Sequence, residues 1–298
     1  MRFIPNLTNN IISNITASDA SVQNALQEVS TGQRVNQASD DPAAAAANAQ
    51  LQAQSAQLDQ YTTNGDSVLG QAQTADSILT SVVSLLNQAV TLGVEGANGT
   101  ASATNRAAIS SSVQGLLTNV VGLANTTYQG VPLFGGTNTS STPFTASSTS
   151  STGYQYNGNS GINQVQIGQA TTVQVNIPGS TLFDNPGSSV LGALSNLATA
   201  LSSGTSAQIG TATAAVTTAL NYVSQQHVVY GNTVNQINAQ ESYLSQDQVT
   251  ITSQEQSLVG IDSATAIEDL THAETANSAV LQASAKVLQN SLLTYLPN

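Results

Sequence analysis

Read as apolar and polar positions, the chain opens on a sustained heptad. Ile4, Thr8, Ile11, Ile15, Ser18, Val22, Ala25 and Val29 follow one another at alternating spacings of four and three. Such a period, about 3.5 residues, is the stripe along which one helix of a coiled coil packs on another. Gly32 takes the next seam position and predicts the helix's end. The far end of the chain is similar. Over 262–296, Ala273, Val280 and Val287 form one seven-spaced row. Ile267, Leu281, Leu288 and Tyr295 form the adjacent row, interrupted by Glu274, and Leu270 and Leu292 are further apolar positions. Two amphipathic helices at opposite ends of one chain can bury together a stripe that neither buries alone. The seam is poor, with Thr8, Ser18, Asn277 and Ser284 in or beside it, which predicts helices that are marginal until neighbours pack on them. An ordinary helical hairpin has the same pattern.

Ser39-Asp40-Asp41-Pro42, followed by five alanines, predicts a helix start with Asp41 as N-cap and Pro42 as first residue. Both acids suit the positive end of the helix dipole. Leu51, Leu58, Tyr61, Val68, Ala72, Leu79, Val83, Leu86 and Val90 carry that helix to about Leu92, with Gly65 and Gly70 as candidate bends. A turn over 95–100 leads to a second helix over roughly 104–125. The middle differs. Of the 16 residues from Thr137 to Thr152, 12 are Ser or Thr. Beyond them Val165–Ile167 and Val173–Ile177 alternate with period two around Gly168-Gln169-Ala170, which predicts a small antiparallel unit. Helical periodicity resumes with Val190, Leu194, Leu197 and Leu201, then in a long run from Ile209 to Leu258 that Gly260 closes. The order is nearly palindromic. It predicts a mainly α, elongated rod of long antiparallel helices. Residues 1–38 and 262–298 would form the terminal coiled coil, 39–134 and 187–261 a helical bundle, and 135–186 a β-rich insert.

Composition narrows the functions. Only 7% of the 298 residues are charged, against about 25% in an average soluble domain, while Ser, Thr, Asn and Gln make up 129. Four Lys+Arg against 16 Asp+Glu cannot build a phosphate-binding footprint, so neither nucleic acid nor an anionic membrane is expected as a partner. Zero cysteines exclude disulfides, thiolate metal sites and a cysteine nucleophile. No apolar run approaches the roughly 20 residues of a membrane span. The start, MRFIPNLTNN, lacks the apolar stretch of a secretory signal. No charge occurs from Ala107 to Phe183 or from Asn185 to Gln240, so little like-charge repulsion opposes self-association. Compositional drift would leave the same mark.

Candidate chemistry is sparse. Glu268 and His272 share a helix face but lack a third metal ligand at the right spacing. His227 borders an apolar face beside Tyr230 and reads as packed. Asp40 and Asp41 could pass for paired acid–base carboxylates, but adjacent acids before a proline fit a cap better. No P-loop, G-x-S-x-G or G-x-G-x-x-G occurs. The expectation is no enzyme, no catalytic or metal-ligating residue and no cofactor.

The palindrome and its local signatures resemble the flagellin superfamily, and within it the hook-associated protein 3 (FlgL) family of hook–filament junction proteins. Thr31-Gly32-Gln33-Arg34 followed by Ser39-Asp40-Asp41-Pro42 is similar to the family's S-G-K-R…S-D-D-P run. Gln60-Tyr61-x-x-Asn64 is similar to its Q-Y-x-x-N helix, and Gly130–Thr137, with Phe134, Gly135 and Gly136, to its G-x-Y-L-F-G-G-T turn. Asp262, Gln282-Ala283 and Ser291–Leu296 match its D-x-A, Q-A and S-L-L-D-Y-L elements. Flagellin usually lacks the proline after the paired acids and that terminal element. Gln33, Pro132 and Thr233 depart from the family's usual Lys, aromatic and Arg.

The resemblance implies export through the flagellar type III apparatus without a cleaved signal, and an extracellular place in the bacterial flagellum. It implies ring assembly with other copies through terminal helices, on the first hook-associated junction protein and beneath flagellin. The assembly residues would be Ile4, Ile11, Ile15, Val22, Val29, Ile267, Leu270, Val280, Leu281, Val287, Leu288, Leu292 and Tyr295. An FlgN-like chaperone would cover Val280, Leu281, Val287 and Leu288 before export. A filament flagellin and a secreted type III tip or adhesin protein remain as other readings.

Overall fold

In the computed structural model residues 5–293 are described, with side-chain surroundings for residues 9–287 and for Gln289. The elements run α1 (Pro5–Thr31), α2 (Pro42–Ala97), α3 (Ala103–Ala124), β1 (Thr127–Tyr128), β2 (Val131–Pro132), β3 (Phe144–Ala146), β4 (Tyr154–Tyr156), β5 (Gln164–Gln166), β6 (Thr172–Gln174), α4 (Gly179–Leu182), α5 (Val190–Ser203), α6 (Ser206–Val259) and α7 (Ser263–Leu293). The strands pair only as three antiparallel ladders, β1–β2, β3–β4 and β5–β6. The chain is therefore mainly α with a small β region, as the periodicity predicts. Contacts divide it into two units, Leu58–Ser245 and the pair Met1–Gln57 with Gln246–Asn298, so the boundaries fall inside α2 and α6.

The unit of residues 58–245 holds the main core. On α2, Ala72, Ala75, Leu79, Val82, Leu86 and Ala89 recur at steps of three and four and are all buried. That spacing keeps one face inward. It meets Val113 and Val120 of α3, Leu194 and Leu197 of α5, and Ile209, Val216 and Val223 of α6. Ser110 is buried where α3 meets α5, and its Oγ donates to the Ala198 carbonyl at 2.7 Å, so burial leaves no unpaired hydroxyl. Ser102 and Ser189 cap α3 and α5 with their side-chain oxygens. The helix α2 runs unbroken through Gly65 and Gly70, which were candidate bends. At Gly70 a Cβ would lie 2.3 Å from the Tyr128 hydroxyl, so the missing side chain serves a close approach rather than a bend.

One expectation is corrected. By length and apolarity alone, α2 and α3 each contain a stretch able to cross a bilayer. Alanine, valine and leucine raise the apolarity of both helices without a continuous apolar run. Their inward stripes belong to the core just described.

The Ser/Thr-rich middle folds around aromatic side chains. Phe134 meets Phe183 edge-on at 5.2 Å, Phe183 meets Phe144 at 5.8 Å, and Phe144 stacks obliquely on Tyr156 at 5.1 Å. The β5–β6 ladder sets Val165 opposite Val173. It seats Ile167, Val173 and Val175 on Val68 and Ile237 in a smaller core. The β3–β4 ladder was not expected. Its signal was Tyr154-Gln-Tyr156 beside Phe144-Thr-Ala146, aromatics alternating across a serine-rich turn.

Candidate functional site: the terminal helix pair and its junction

In the other unit α1 and α7 pack along one another. Asn277 Nδ2 donates to Asp19 Oδ1 at 3.0 Å, and Asp269 acts electrostatically on Glu28, so the two helices run antiparallel. The side chains turned away from solvent on α1 are Ile11, Ile15, Ser18, Val22, Ala25 and Glu28. On α7 they are Ala266, Leu270, Ala273, Asn277, Val280 and Ser284, again at steps of four and three. Only Ala25, Ala266 and Ser284 are fully buried.

Of the predicted assembly residues, Ile11, Ile15, Val22, Leu270 and Val280 are half-buried on these two stripes. Val29, Ile267, Leu281 and Val287 are exposed, and Glu28 takes the inward place expected of Val29. The second α7 row is Leu270–Asn277–Ser284, in place of the row begun by Ile267 and Leu281. Alanine and serine let two backbones approach closely, which leaves the bulkier row outside. Ile4 and Tyr295 lie outside the described residues, as do the side chains of Leu288 and Leu292. Partial burial, then Asp269 and Asp40, push the Glu28 carboxyl above its ordinary value, while Arg34 opposes them.

A loop junction closes this pair. Gly32 adopts φ 67°, and its N–H donates to the Glu28 carbonyl at 2.8 Å, ending α1. Gln33 then bridges Gly260 antiparallel. Arg34 N–H donates to the Val259 carbonyl at 2.7 Å and Ile261 N–H to the Gly32 carbonyl at 3.1 Å. Beneath this bridge Val35, Ala44 and Val259 are buried together. The paired acids divide the work. Asp40 Oδ2 accepts the N–H groups of Asn36 and Gln37 at 3.1 and 2.8 Å. Asp41 Oδ1 accepts the Ala44 N–H at 3.0 Å and so caps α2, whose first residue is Pro42. Arg34 reaches the other Asp41 oxygen at 3.4 Å. The Ala44 N–H, and after it Arg34, hold the Asp41 carboxyl below its ordinary range. Ser39 lies exposed in the turn, and Asp262 immediately precedes α7.

The remaining motif residues are scaffold. Gln60 Nε2 donates to Asn64 Oδ1 at 2.9 Å, and Asn64 Nδ2 donates to the Gln166 carbonyl at 2.9 Å. Gln166 Nε2 reaches the buried Tyr61 hydroxyl at 3.4 Å. The Q-Y-x-x-N turn of α2 thus holds the β5–β6 hairpin. The Phe134 carbonyl accepts from Gly179 N–H at 2.8 Å and from the Tyr156 hydroxyl at 2.9 Å. Gly135 accepts the Asn159 N–H at 3.1 Å. Gly136 has φ 74°, and a Cβ there would lie 2.1 Å from the Asn159 carbonyl oxygen.

His227 is not merely packed, as its neighbours suggested. Its Nε2 lies 2.8 Å from Asp76 Oδ1 and 3.3 Å from Thr80 Oγ1, pinning α6 to α2. Both partners share one ring nitrogen, whereas a nucleophile relay places them on opposite nitrogens. Glu268 and His272 are exposed. Among the described residues no group of three or more metal-ligating side chains gathers.

The family model for the bacterial flagellin N-terminal helical region matches residues 5–139. The flagellar hook-associated protein 3 of Salmonella typhimurium is 30% identical over 175 residues, 58% of this chain and 54% of that protein. A flagellin of Clostridium tyrobutyricum is 31% identical over 121 residues, 41% of this chain and 32% of that protein. The chain thus spans about half the length of the first relative and about a third of the second. Among solved structures, Bacillus cereus FlgL shares the fold, with a TM-score of 0.59 over 70% of this chain and 99% of that one at 22% identity. The N-terminal part of the chain is thus similar to the flagellin N-terminal helical region, and the fold is that of the solved FlgL structures. Over more than half of its length the chain is also similar to a flagellar hook-associated protein 3.

Proposed function

We propose that this chain is a non-catalytic structural subunit of the bacterial flagellum, seated at the hook–filament junction. One observation carries the reading. The two ends of the chain form a helix pair that leaves Ile12, Leu26, Val29, Ile267, Leu281 and Val287 exposed. Exposed large apolar side chains along a helix pair whose seam is only half-buried support a surface that other subunits cover. Other copies would cover it in a ring, adjoining the first hook-associated junction protein on one side and flagellin on the other. Before assembly the chain would leave the cell through the flagellar type III apparatus, with an FlgN-like chaperone on Leu281, Val287 and their neighbours. Likeness to a hook-associated protein 3 over more than half of the chain supports the junction over the filament.

The flagellin relative favours a second reading, a filament subunit. A clean gene deletion separates them. Negative-stain microscopy should show bare hooks, with flagellin monomers shed into the medium. Hooks with no flagellin anywhere would make the chain a filament subunit, and unchanged filaments would reject both.

A further inference from the structure

We infer that the Asn277–Asp19 hydrogen bond sets the register of the terminal helix pair. Apolar packing alone specifies that register weakly. Counting outward from the bond, the inward positions fall into layers of Ile11 with Ser284, Ile15 with Val280, Ser18 with Asn277, Val22 with Ala273, Ala25 with Leu270, and Glu28 with Ala266. Half of these layers join one larger apolar side chain to a small or polar one. Sliding one helix by a heptad makes layers of much the same kind, for instance Val22 with Val280 or Ile15 with Ala273 on the two sides. The seam is close to degenerate.

The polar layer is not. Among the described residues Asn277–Asp19 is the one side-chain hydrogen bond across the pair. Asn277 Oδ1 is buried with no partner, so its carboxamide already carries an unpaired acceptor. A heptad slip would break the Nδ2 bond, by moving Asn277 opposite Ile12 or Leu26. A half-buried amide whose Oδ1 is sealed and unpaired lowers stability, while its Nδ2 bond to exposed Asp19, made in one register only, selects that register. Asn277 is therefore a positioning residue.

The chain has no cysteine, so introduced ones label uniquely. Spin labels on Ser13→Cys and Gln282→Cys, both at exposed positions that the layer count brings opposite, would report the register in the full-length protein. Wild type should give one distance. Asn277→Val should keep its helicity by circular dichroism yet add populations displaced by about 10 Å along the axis, the length of a heptad. Asp19→Ala should do the same. Asp19→Asn should keep one distance, because a carboxamide accepts from Asn277 Nδ2 and can also donate to Oδ1. A single unchanged distance in Asn277→Val and Asp19→Ala, or several distances in wild type, would overturn the inference.

Discussion

The two units bury their apolar residues differently. In residues 58–245, Leu79, Leu86, Phe134, Phe183, Leu194, Leu197 and Ile209 are sealed from solvent. In the terminal pair the inward positions are mostly half-buried, and Ser18, Glu28, Asn277 and Ser284 stand among them. Six of the thirteen exposed large apolar side chains among the described residues lie on α1 and α7. The larger unit seals a full core of hydrophobic side chains within itself. The other holds part of them in reserve, which is what a subunit interface needs before its neighbours arrive.

Truncation should expose that contrast most strongly. Leu197→Ala should cost about 2–5 kcal/mol by emptying a sealed site, whereas Val22→Ala on the half-buried seam should cost about 1 kcal/mol. Denaturation followed by circular dichroism measures the first. Native-state hydrogen exchange along α1 and α7 measures the second. Equal losses would erase the distinction.

Two glycines sharpen it further. Gly32 and Gly136 both have positive φ, but nothing lies within 4 Å of the Cβ position at Gly32, while at Gly136 the Asn159 carbonyl fills it. Gly32→Ala should cost about 1–2 kcal/mol, the left-handed backbone alone. Gly136→Ala should cost more, since its backbone must also shift. Denaturant midpoints of the two variants give the order.

The smallest effect concerns pH. Glu28 is raised in the folded chain, so its protonated form is favoured there. Its contribution is fully favourable below the ordinary value of 4.5 and is lost as pH rises through the folded one. Glu28→Gln should therefore raise exchange protection of α1 near neutral pH, and the gain should fade on acidification to below about pH 4. Asp41 works oppositely. Its lowered carboxyl stabilises above the ordinary 3.8, and that support is lost as pH falls through the folded value.

Much of this was legible beforehand. The stripes of α2, α3, α5 and α6, the Asp41–Pro42 cap and the Val165–Val173 pairing follow from periodicity and capping rules. What escaped has two causes. Periodicity weights large apolar residues, but α7 turns alanine, asparagine and serine toward α1 and leaves Ile267 and Leu281 outside. Its 4-3-4-3-4 spacing from Ala266 to Ser284 was visible only by counting small and polar residues as seam. The His227–Asp76 pin joins residues far apart in sequence, and local pattern carries no such information. For the site, the junction motifs were legible as caps. That Gln33 and Gly260 pair across a bridge was not.

The central claim is that the exposed side chains of the terminal pair serve assembly rather than folding. Leu281, 48% exposed, tests it most directly. Leu281→Asp, expressed in place of the wild-type chain, should unfold at the wild-type temperature as a purified monomer. Cells carrying it should show bare hooks and shed flagellin. Normal filaments on those cells, with the variant chain present at the hook tip, would contradict the account.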